Sequence, residues 1–223
     1  MKFTYTDFSQ IGSMHTRFGQ ENQDEVCLFE SEQMAAILMA DGATACPAGK
    51  QGAQITCAAA QEFLEQEGAE LLRFPPKKQA YLLSRHICSR ILAGGFRLSQ
   101  AGSTLQMFTV QKDSGDAQLL MVGSGMAARY AHQKRIPWPG ACQEILSLIT
   151  AQNAEIAARH WRFCVQPGDC ILLGTNGFWN AVQCAPDKSR ISAFQNGQWS
   201  TLCRSLSQCA PEDDATFAAI SFY

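Results

Sequence analysis

A short apolar run that stops at an acid and a glycine is the feature that most constrains the fold. Residues 35–40 (AAILMA) are all apolar, and Asp41-Gly42 follows them directly. A continuous apolar run of this length, closed by a turn dipeptide, is typical of a buried strand. The sequence therefore predicts a buried strand that delivers a carboxylate to a tight turn.

Two helices and a series of strands follow this run. Apolar residues recur at helical spacing from Gly49 to Gly68, and a second helical pattern extends from Pro75-Pro76 to Gly94-Gly95. From residue 103 the spacing changes to two, which is typical of strands. Further predicted strands cover residues 105–110, 117–122, 126–132, 170–173 and 216–222. Strands grouped around two consecutive helices favour an α+β sandwich over an alternating parallel sheet. No repeat or linker interrupts the pattern, so we predict a single domain over residues 1–223.

Composition excludes several classes of function. The net charge of −2 and the absence of a Lys/Arg-rich run argue against a nucleic-acid-binding protein. The longest apolar stretch, residues 34–40, is far shorter than the ~20 residues of a transmembrane helix. No signal peptide is recognisable, which makes the cytoplasm the expected compartment. The ten cysteines include no CxxC pair, which favours reduced core thiols over disulfides or a zinc site.

Polar residues stand beside several of the predicted strand ends. Asp41 follows the apolar run, Asp24 precedes the apolar segment 26–29, and Asp213-Asp214 precede the last strand. Asn176 follows another strand and is itself followed by glycine. Oxygen ligands at strand ends suit Mg²⁺ or Mn²⁺, and two such ions can orient a phosphoryl group for attack. Asp-Gly and Asn-Gly are also common turn dipeptides, so each position alone has a structural alternative.

A set of short motifs, taken in order, resembles the metal-dependent protein phosphatase family (type 2C, PPM), in its bacterial form. The motifs are Ser9–His15 with Gly19–Asp24, Ala40–Gly42, Gly102–Thr104, Val122–Gly125, Pro167–Gly177 and Asp213–Thr216. The resemblance implies a four-layer α-β-β-α sandwich, with two mostly antiparallel sheets flanked by helices. It also implies hydrolysis of phosphoserine and phosphothreonine by a water that two Mn²⁺ or Mg²⁺ ions activate.

The same resemblance implies a set of metal ligands. Asp41 would bridge both ions, and Gly42 would add its backbone carbonyl. Asp213 would complete the shell of one ion, and Asp24 would bind directly or through water. Asp214 is the alternative to Asp213, because the doubled aspartate leaves the register uncertain by one residue.

Three positions depart from the family pattern. Asn176 and Ser124 stand where the family has aspartates, although the amide oxygen of Asn176 is still a metal ligand by type. Gly19 stands where some members have a phosphate-binding arginine, and Arg17, two residues earlier, is our candidate for that role. Fewer carboxylates weaken a site for hard cations. A second hypothesis is therefore a pseudophosphatase, in which the same fold acts as a binding or regulatory module.

His15 has two interpretations at this point. It is a candidate proton donor to the leaving group, a role that suits a titrating imidazole. The alternative is a hydrogen-bonded structural histidine that fixes the N-terminal segment. The expected partners are a phosphoserine or phosphothreonine protein and a cognate kinase, with no nucleic acid or membrane; the sequence carries no information on the oligomeric state.

Overall fold

The structure is a computed structural model that describes residues 1–137, 148–150, 158–183 and 188–223. These residues form ten strands and six helices. The strands are β1 (Phe3–Gln10), β2 (Asp24–Glu30), β3 (Met34–Asp41), β4 (Leu105–Gln111), β5 (Asp116–Val122), β6 (Met126–Ala131), β7 (Lys134–Ile136), β8 (Arg159–Cys164), β9 (Asp169–Gly174) and β10 (Ala215–Phe222). The helices are α1 (Ser13–Arg17), α2 (Gly49–Leu71), α3 (Pro76–Ala93), α4 (Asn176–Gln183), α5 (Lys188–Gln195) and α6 (Trp199–Ser207).

The described residues fall into two compact units. The first contains those of Met1–Asn22, Gly125–Ala141 and Val165–Tyr223, and the second those of Gln23–Ser124 and Cys142–Cys164. We name them the sheet I unit and the sheet II unit after the five-stranded sheet that each contains. The assignment of residues 1–223 to one domain remains a prediction.

Sheet I has the strand order β1-β10-β9-β6-β7, and all of its neighbouring strands are antiparallel. Helix α4 packs against β10, and α6 packs against β1. Beneath the helices lies an aromatic core in which Phe178 contacts Phe217, with ring centroids 4.9 Å apart, and Tyr130 meets Trp199 edge-on at 5.2 Å. Buried aromatic rings supply most of the apolar contact that holds these short helices to the sheet.

Sheet II has the strand order β2-β3-β4-β5-β8 and is also antiparallel throughout. Helices α2 and α3 pack against each other and against this sheet. Their apolar faces, which include Leu83 and Ile87, join Leu38 and Leu105 of the strands in one core. Strand β3 is buried at every residue from Met34 to Ala40, which explains its uninterrupted apolar sequence.

The fold class predicted from the sequence is confirmed, since two antiparallel sheets are flanked by helices in an α+β arrangement. The apolar run at residues 35–40 is strand β3, and the two predicted helices are α2 and α3. The prediction missed β1, β7 and β8, and also the helices α1 and α4 to α6. Helix α4 begins at Asn176, where only a turn was expected, and it buries Phe178, Trp179 and Val182 on one face.

Two smaller predictions concern membranes and thiols. None of the described helices is both long and apolar enough to cross a bilayer. The eight cysteines within the described ranges are free thiols, whereas Cys142 and Cys184 lie outside them. Burial raises the pKa of Cys57, and it raises that of Cys170 to about 11. Such thiols are protonated at neutral pH and make poor nucleophiles.

Candidate functional site

Two of the predicted ligands face each other across neighbouring strands of sheet II. Asp24 is the first residue of β2, Asp41 is the last of β3, and the antiparallel register pairs them directly. Residues opposite each other in such a pair have Cβ atoms about 4.5–5.5 Å apart on the same face. Asp24 is buried with 3% of its surface exposed, and Asp41 is half-buried. The structure therefore brings two carboxylates to one edge of the sheet, where like charges repel unless a cation lies near them.

Backbone contacts hold the Asp41-Gly42 turn in place. The Gly42 amide donates to the carbonyl of Gln23 (3.1 Å), and the Asp41 amide donates to Oγ1 of Thr104 (3.0 Å). The Thr104 amide in turn donates to the Asp41 carbonyl (2.9 Å). A Cβ atom on Gly42 would overlap the backbone of Gly49, where α2 begins. The glycine is required here because two backbone segments approach each other closely.

Lys50 is a residue beside this pair that the sequence analysis did not identify. It lies in the first turn of α2, and its Nζ donates to the carbonyl of Asp24 (2.9 Å) and to Oε2 of Glu25 (2.8 Å). The ammonium group therefore holds the start of β2 against α2. An isolated lysine in a helical pattern normally lies in solvent, so no signal in the sequence marked it.

The sheet I unit contains the other aspartate pair. Asp214 is buried, and its Oδ2 lies 2.7 Å from Nδ1 of His15, which is equally buried. Its Oδ1 accepts a hydrogen bond from the Gly12 amide (2.7 Å). Asp213 is half-buried, and its Oδ1 accepts the amide hydrogen of Asp214 (3.0 Å). Both oxygens of Asp214 thus bond to the N-terminal segment, whereas Asp213 lies at the more exposed position.

Two glycines of the predicted motifs enclose this aspartate pair. A Cβ atom on Gly12 would overlap the backbone of Asp213, and one on Gly177 would overlap the carbonyl of Asp214. The amides of Ser13 and Met14 donate to the carbonyls of Pro211 (2.8 Å) and Glu212 (3.0 Å). The loop before β10 is therefore packed, backbone against backbone, between the start of α1 and the start of α4.

The remaining two candidates lie in the same unit. Asn176 is the first residue of α4, and its Oδ1 accepts a hydrogen bond from the Gly125 amide (2.9 Å). Gly125 has φ of 100°, a conformation that favours glycine. Arg17 is the last residue of α1 and is exposed. The amide oxygen of Asn176 thus already accepts a hydrogen bond from the backbone. The guanidinium of Arg17, by contrast, is open to a ligand from solvent.

The family resemblance implies a divalent metal ion, for which the candidate residues would be the ligands. Within the described part of the chain, no group of three or more His, Cys, Asp or Glu side chains lies close enough to hold an ion. The sheet II unit provides the paired carboxylates of Asp24 and Asp41 beside the backbone of Gly42. Mg²⁺ commonly binds through one or two carboxylates and keeps several waters. The pair therefore fits a hydrated divalent ion, whereas it does not fit a metal held by protein ligands alone.

The sequence of this chain matches a known protein family. The family model for protein phosphatase 2C matches residues 11–213. The chain belongs to the protein phosphatase 2C family. The match includes every predicted site residue except Asp214, and the members of this family are metal-dependent. A search of the curated proteins found no significant match.

Solved structures of bacterial phosphatases share the fold. RsbX, in a crystal structure with magnesium, is 12% identical, with a TM-score of 0.64 over 99% of this chain and 96% of that one. A serine/threonine phosphatase of S. agalactiae is 13% identical, with a TM-score of 0.66 over the full length of both chains. PppA, described as a key regulatory component of T6SS in Pseudomonas aeruginosa, is 16% identical, with a TM-score of 0.63 over 100% of this chain and 99% of that one. At such low identity these likenesses establish the fold alone.

Proposed function

We propose that this protein is a metal-dependent serine/threonine phosphoprotein phosphatase. The observation that carries the proposal is the Asp24–Asp41 pair, which places two carboxylates opposite each other at one edge of sheet II. This pair lies in a chain of the protein phosphatase 2C family. Its substrate would be a cytoplasmic phosphoprotein that a cognate kinase modifies on serine or threonine.

The residues have separate proposed roles. Asp24, Asp41 and the Gly42 carbonyl would hold Mn²⁺ or Mg²⁺, which supplies a water of lowered pKa as the nucleophile. Of the doubled aspartate, we propose Asp213 rather than Asp214 as a metal ligand. The reason is that Asp214 already accepts hydrogen bonds on both oxygens, from Gly12 and His15.

The other candidate residues have secondary roles in the proposed mechanism. Asn176 would offer a neutral amide oxygen, whose second lone pair remains after the bond from Gly125. Arg17 would bind the phosphoryl group of the substrate through its exposed guanidinium. His15 is buried against Asp214, a placement that suits a positioning residue better than a proton donor to the leaving group.

Hydrolysis of p-nitrophenyl phosphate tests the proposal. Wild-type protein should show turnover that depends on Mn²⁺ and disappears in EDTA. Asp41→Asn should lower kcat/KM by at least about 100-fold, because losing even an indirect metal partner costs about 10–100-fold. The control is Asp113→Asn, which removes an exposed carboxylate from the β4–β5 turn and should leave the rate unchanged. Absence of Mn²⁺-dependent turnover in the wild type would refute the phosphatase proposal.

A pseudophosphatase is the second candidate, and the neutral side chain of Asn176 favours it. Its amide oxygen bonds to Gly125, and it brings no charge to the position where the family pattern has an acid. Asn176→Asp is the discriminating variant. A large gain in Mn²⁺-dependent turnover would show that the missing carboxylate limits the site. If the wild-type protein binds phosphopeptides without hydrolysing them, the protein is a pseudophosphatase that acts as a binding module.

A further inference from the structure

Two large apolar side chains at helix α1 are exposed among the residues that the structure describes. Phe18, at the end of the helix, is 70% exposed, and Met14 is 43% exposed. His15 of the same helix is buried against Asp214. The helix is thus fixed by His15 and leaves two large apolar side chains exposed.

An exposed cation belongs to the same short helix. Met14 and Arg17 are three residues apart, and Met14 and Phe18 are four apart, so both spacings place side chains next to each other on a helix. Arg17 is exposed. We name Met14, Arg17 and Phe18 the α1 surface. It combines an anion-binding guanidinium with the apolar area of Met14 and Phe18.

The α1 surface is tied directly to the acidic loop before β10. The amides of Ser13 and Met14 donate to the carbonyls of Pro211 and Glu212, and the Gly12 amide donates to Asp214. These bonds join α1 to the loop that carries Asp213. The α1 surface therefore belongs to the same unit as the loop that carries Asp213, the aspartate that we propose as a metal ligand.

We propose that the α1 surface binds a segment of the phosphoprotein substrate with a large apolar residue close in sequence to the phosphorylated serine or threonine. This inference rests on the proposed function and deepens it. A phosphoryl anion complements Arg17, and an apolar side chain next to it complements Phe18 and Met14. A small phosphate ester would engage the cation alone, whereas a peptide would also cover the apolar side chains.

Paired phosphopeptides test this inference. The two peptides are identical phosphoserine peptides that carry either leucine or alanine next to the phosphorylated residue, scanned over the three positions on each side. Wild-type protein with Mn²⁺ should hydrolyse one leucine peptide with a kcat/KM about tenfold above that of its alanine partner, as expected for partial burial of one leucine side chain. The preference should appear in KM, because docking is uniform binding.

Phe18→Ser is the variant that should remove the preference. The ratio of kcat/KM for the leucine peptide to that for p-nitrophenyl phosphate should fall about tenfold, the equivalent of one large apolar contact. The control is Leu92→Ser, which removes a side chain that is 56% exposed at the end of α3 and should not change the ratio. Equal kcat/KM values for the leucine and alanine peptides on the wild type would overturn the inference, as would an unchanged ratio in Phe18→Ser.

A failure of the proposed phosphatase function can be distinguished from a failure of the inference about the α1 surface. If the wild type hydrolyses neither peptide nor p-nitrophenyl phosphate, fluorescence anisotropy with the same labelled peptides measures docking without turnover. Tighter binding of the leucine peptide that Phe18→Ser abolishes would support the α1 surface in a non-catalytic protein, and equal binding would overturn it. A second outcome against the inference is a concentration-dependent dimer in sedimentation that Phe18→Ser abolishes, because the surface would then belong to another copy of the chain.

Discussion

Asp24 and Asp41 belong to two neighbouring strands, whereas Asp213 and Asp214 are consecutive residues of one loop. In sheet II the strand register alone sets two carboxylates opposite each other. In the sheet I unit the chain separates the two acids, since Asp214 turns inward to Gly12 and His15 while Asp213 stays half-buried. The difference shows that nearness of two acids does not by itself indicate a metal site.

The position of each carboxylate in its unit suggests its role. The Asp214 carboxylate accepts hydrogen bonds on both oxygens from the N-terminal segment and acts as a structural link. Asp24 and Asp41 are set opposite each other by strand pairing, and a bound cation would relieve the repulsion between their charges. The four variants and conditions below test this distinction, beginning with the largest expected effect.

Asp214→Ala should be the most destabilising change. It would leave the His15 ring and the Gly12 amide without their buried acceptor, and each buried polar group left unsatisfied costs about 1–3 kcal/mol. Asp213→Ala, its neighbour and control, should cost less than about 1 kcal/mol, because it removes one hydrogen bond from a half-buried position. Urea unfolding in EDTA measures both. Equal losses would show that the two aspartates share the structural role.

Addition of Mn²⁺ should stabilise the wild type. A ligand that binds the folded state alone adds about 2.7 kcal/mol at 100 times its Kd. The shift of the thermal midpoint with Mn²⁺ concentration measures this. Asp41→Asn should abolish most of the shift, whereas Asp214→Asn should retain it if that residue is not a ligand. A shift that survives Asp41→Asn would place the ion elsewhere.

Gly42→Ala should destabilise the sheet II unit by about 1–3 kcal/mol, the usual cost of forcing atoms into a packed position. The added methyl group would overlap the backbone of Gly49, which cannot move without displacing α2. The matched control is Gly68→Ala near the end of α2, where the new Cβ would meet only the flexible side chain of Met34 at 3.3 Å. That substitution should be neutral or stabilising, because alanine is the better helix former.

Asp41→Asn in EDTA should have the smallest effect, and its sign is informative. Removing one of two like charges from a cross-strand pair should raise the free energy of unfolding by about 0.2–1 kcal/mol. The same variant is expected to lose activity, so stability and catalysis would move in opposite directions. A loss of stability in metal-free buffer would instead show that the other contacts of Asp41 outweigh the repulsion between the two carboxylates.

Much of the fold could be predicted because its signals are local. Strand β3 is apolar throughout, and α2 and α3 have regular spacing with glycine or proline at their ends. Strand β8 was missed, because Arg159–Cys164 (RHWRFC) carries an arginine on each of its two faces, which breaks the apolar alternation, and lies at the edge of sheet II. Helices α4 to α6 were missed since each is nine residues long or less, too short for periodicity to separate them from loops.

The residues of the candidate site could be predicted from the sequence, but which of them lie opposite each other could not. The sequence and its family resemblance selected Asp24, Asp41 and the Asp213-Asp214 doublet. Neither could show that Asp24 lies opposite Asp41, because strand register depends on tertiary pairing. The bond between His15 and Asp214 joins residues 199 positions apart, and no local pattern reports such a contact.

The bond from Gly12 to Asp214 also has a consequence for the order of folding. It spans 202 residues and lies beside the pairing of β1 with β10. Contacts between such distant positions must first overcome the entropy of closing a long loop, so they form late. During synthesis on the ribosome, α2, α3 and most of sheet II can assemble while the residues of β10 have not yet been made. The loop that carries Asp213 can therefore reach its native position only after the residues of β10 have been synthesised.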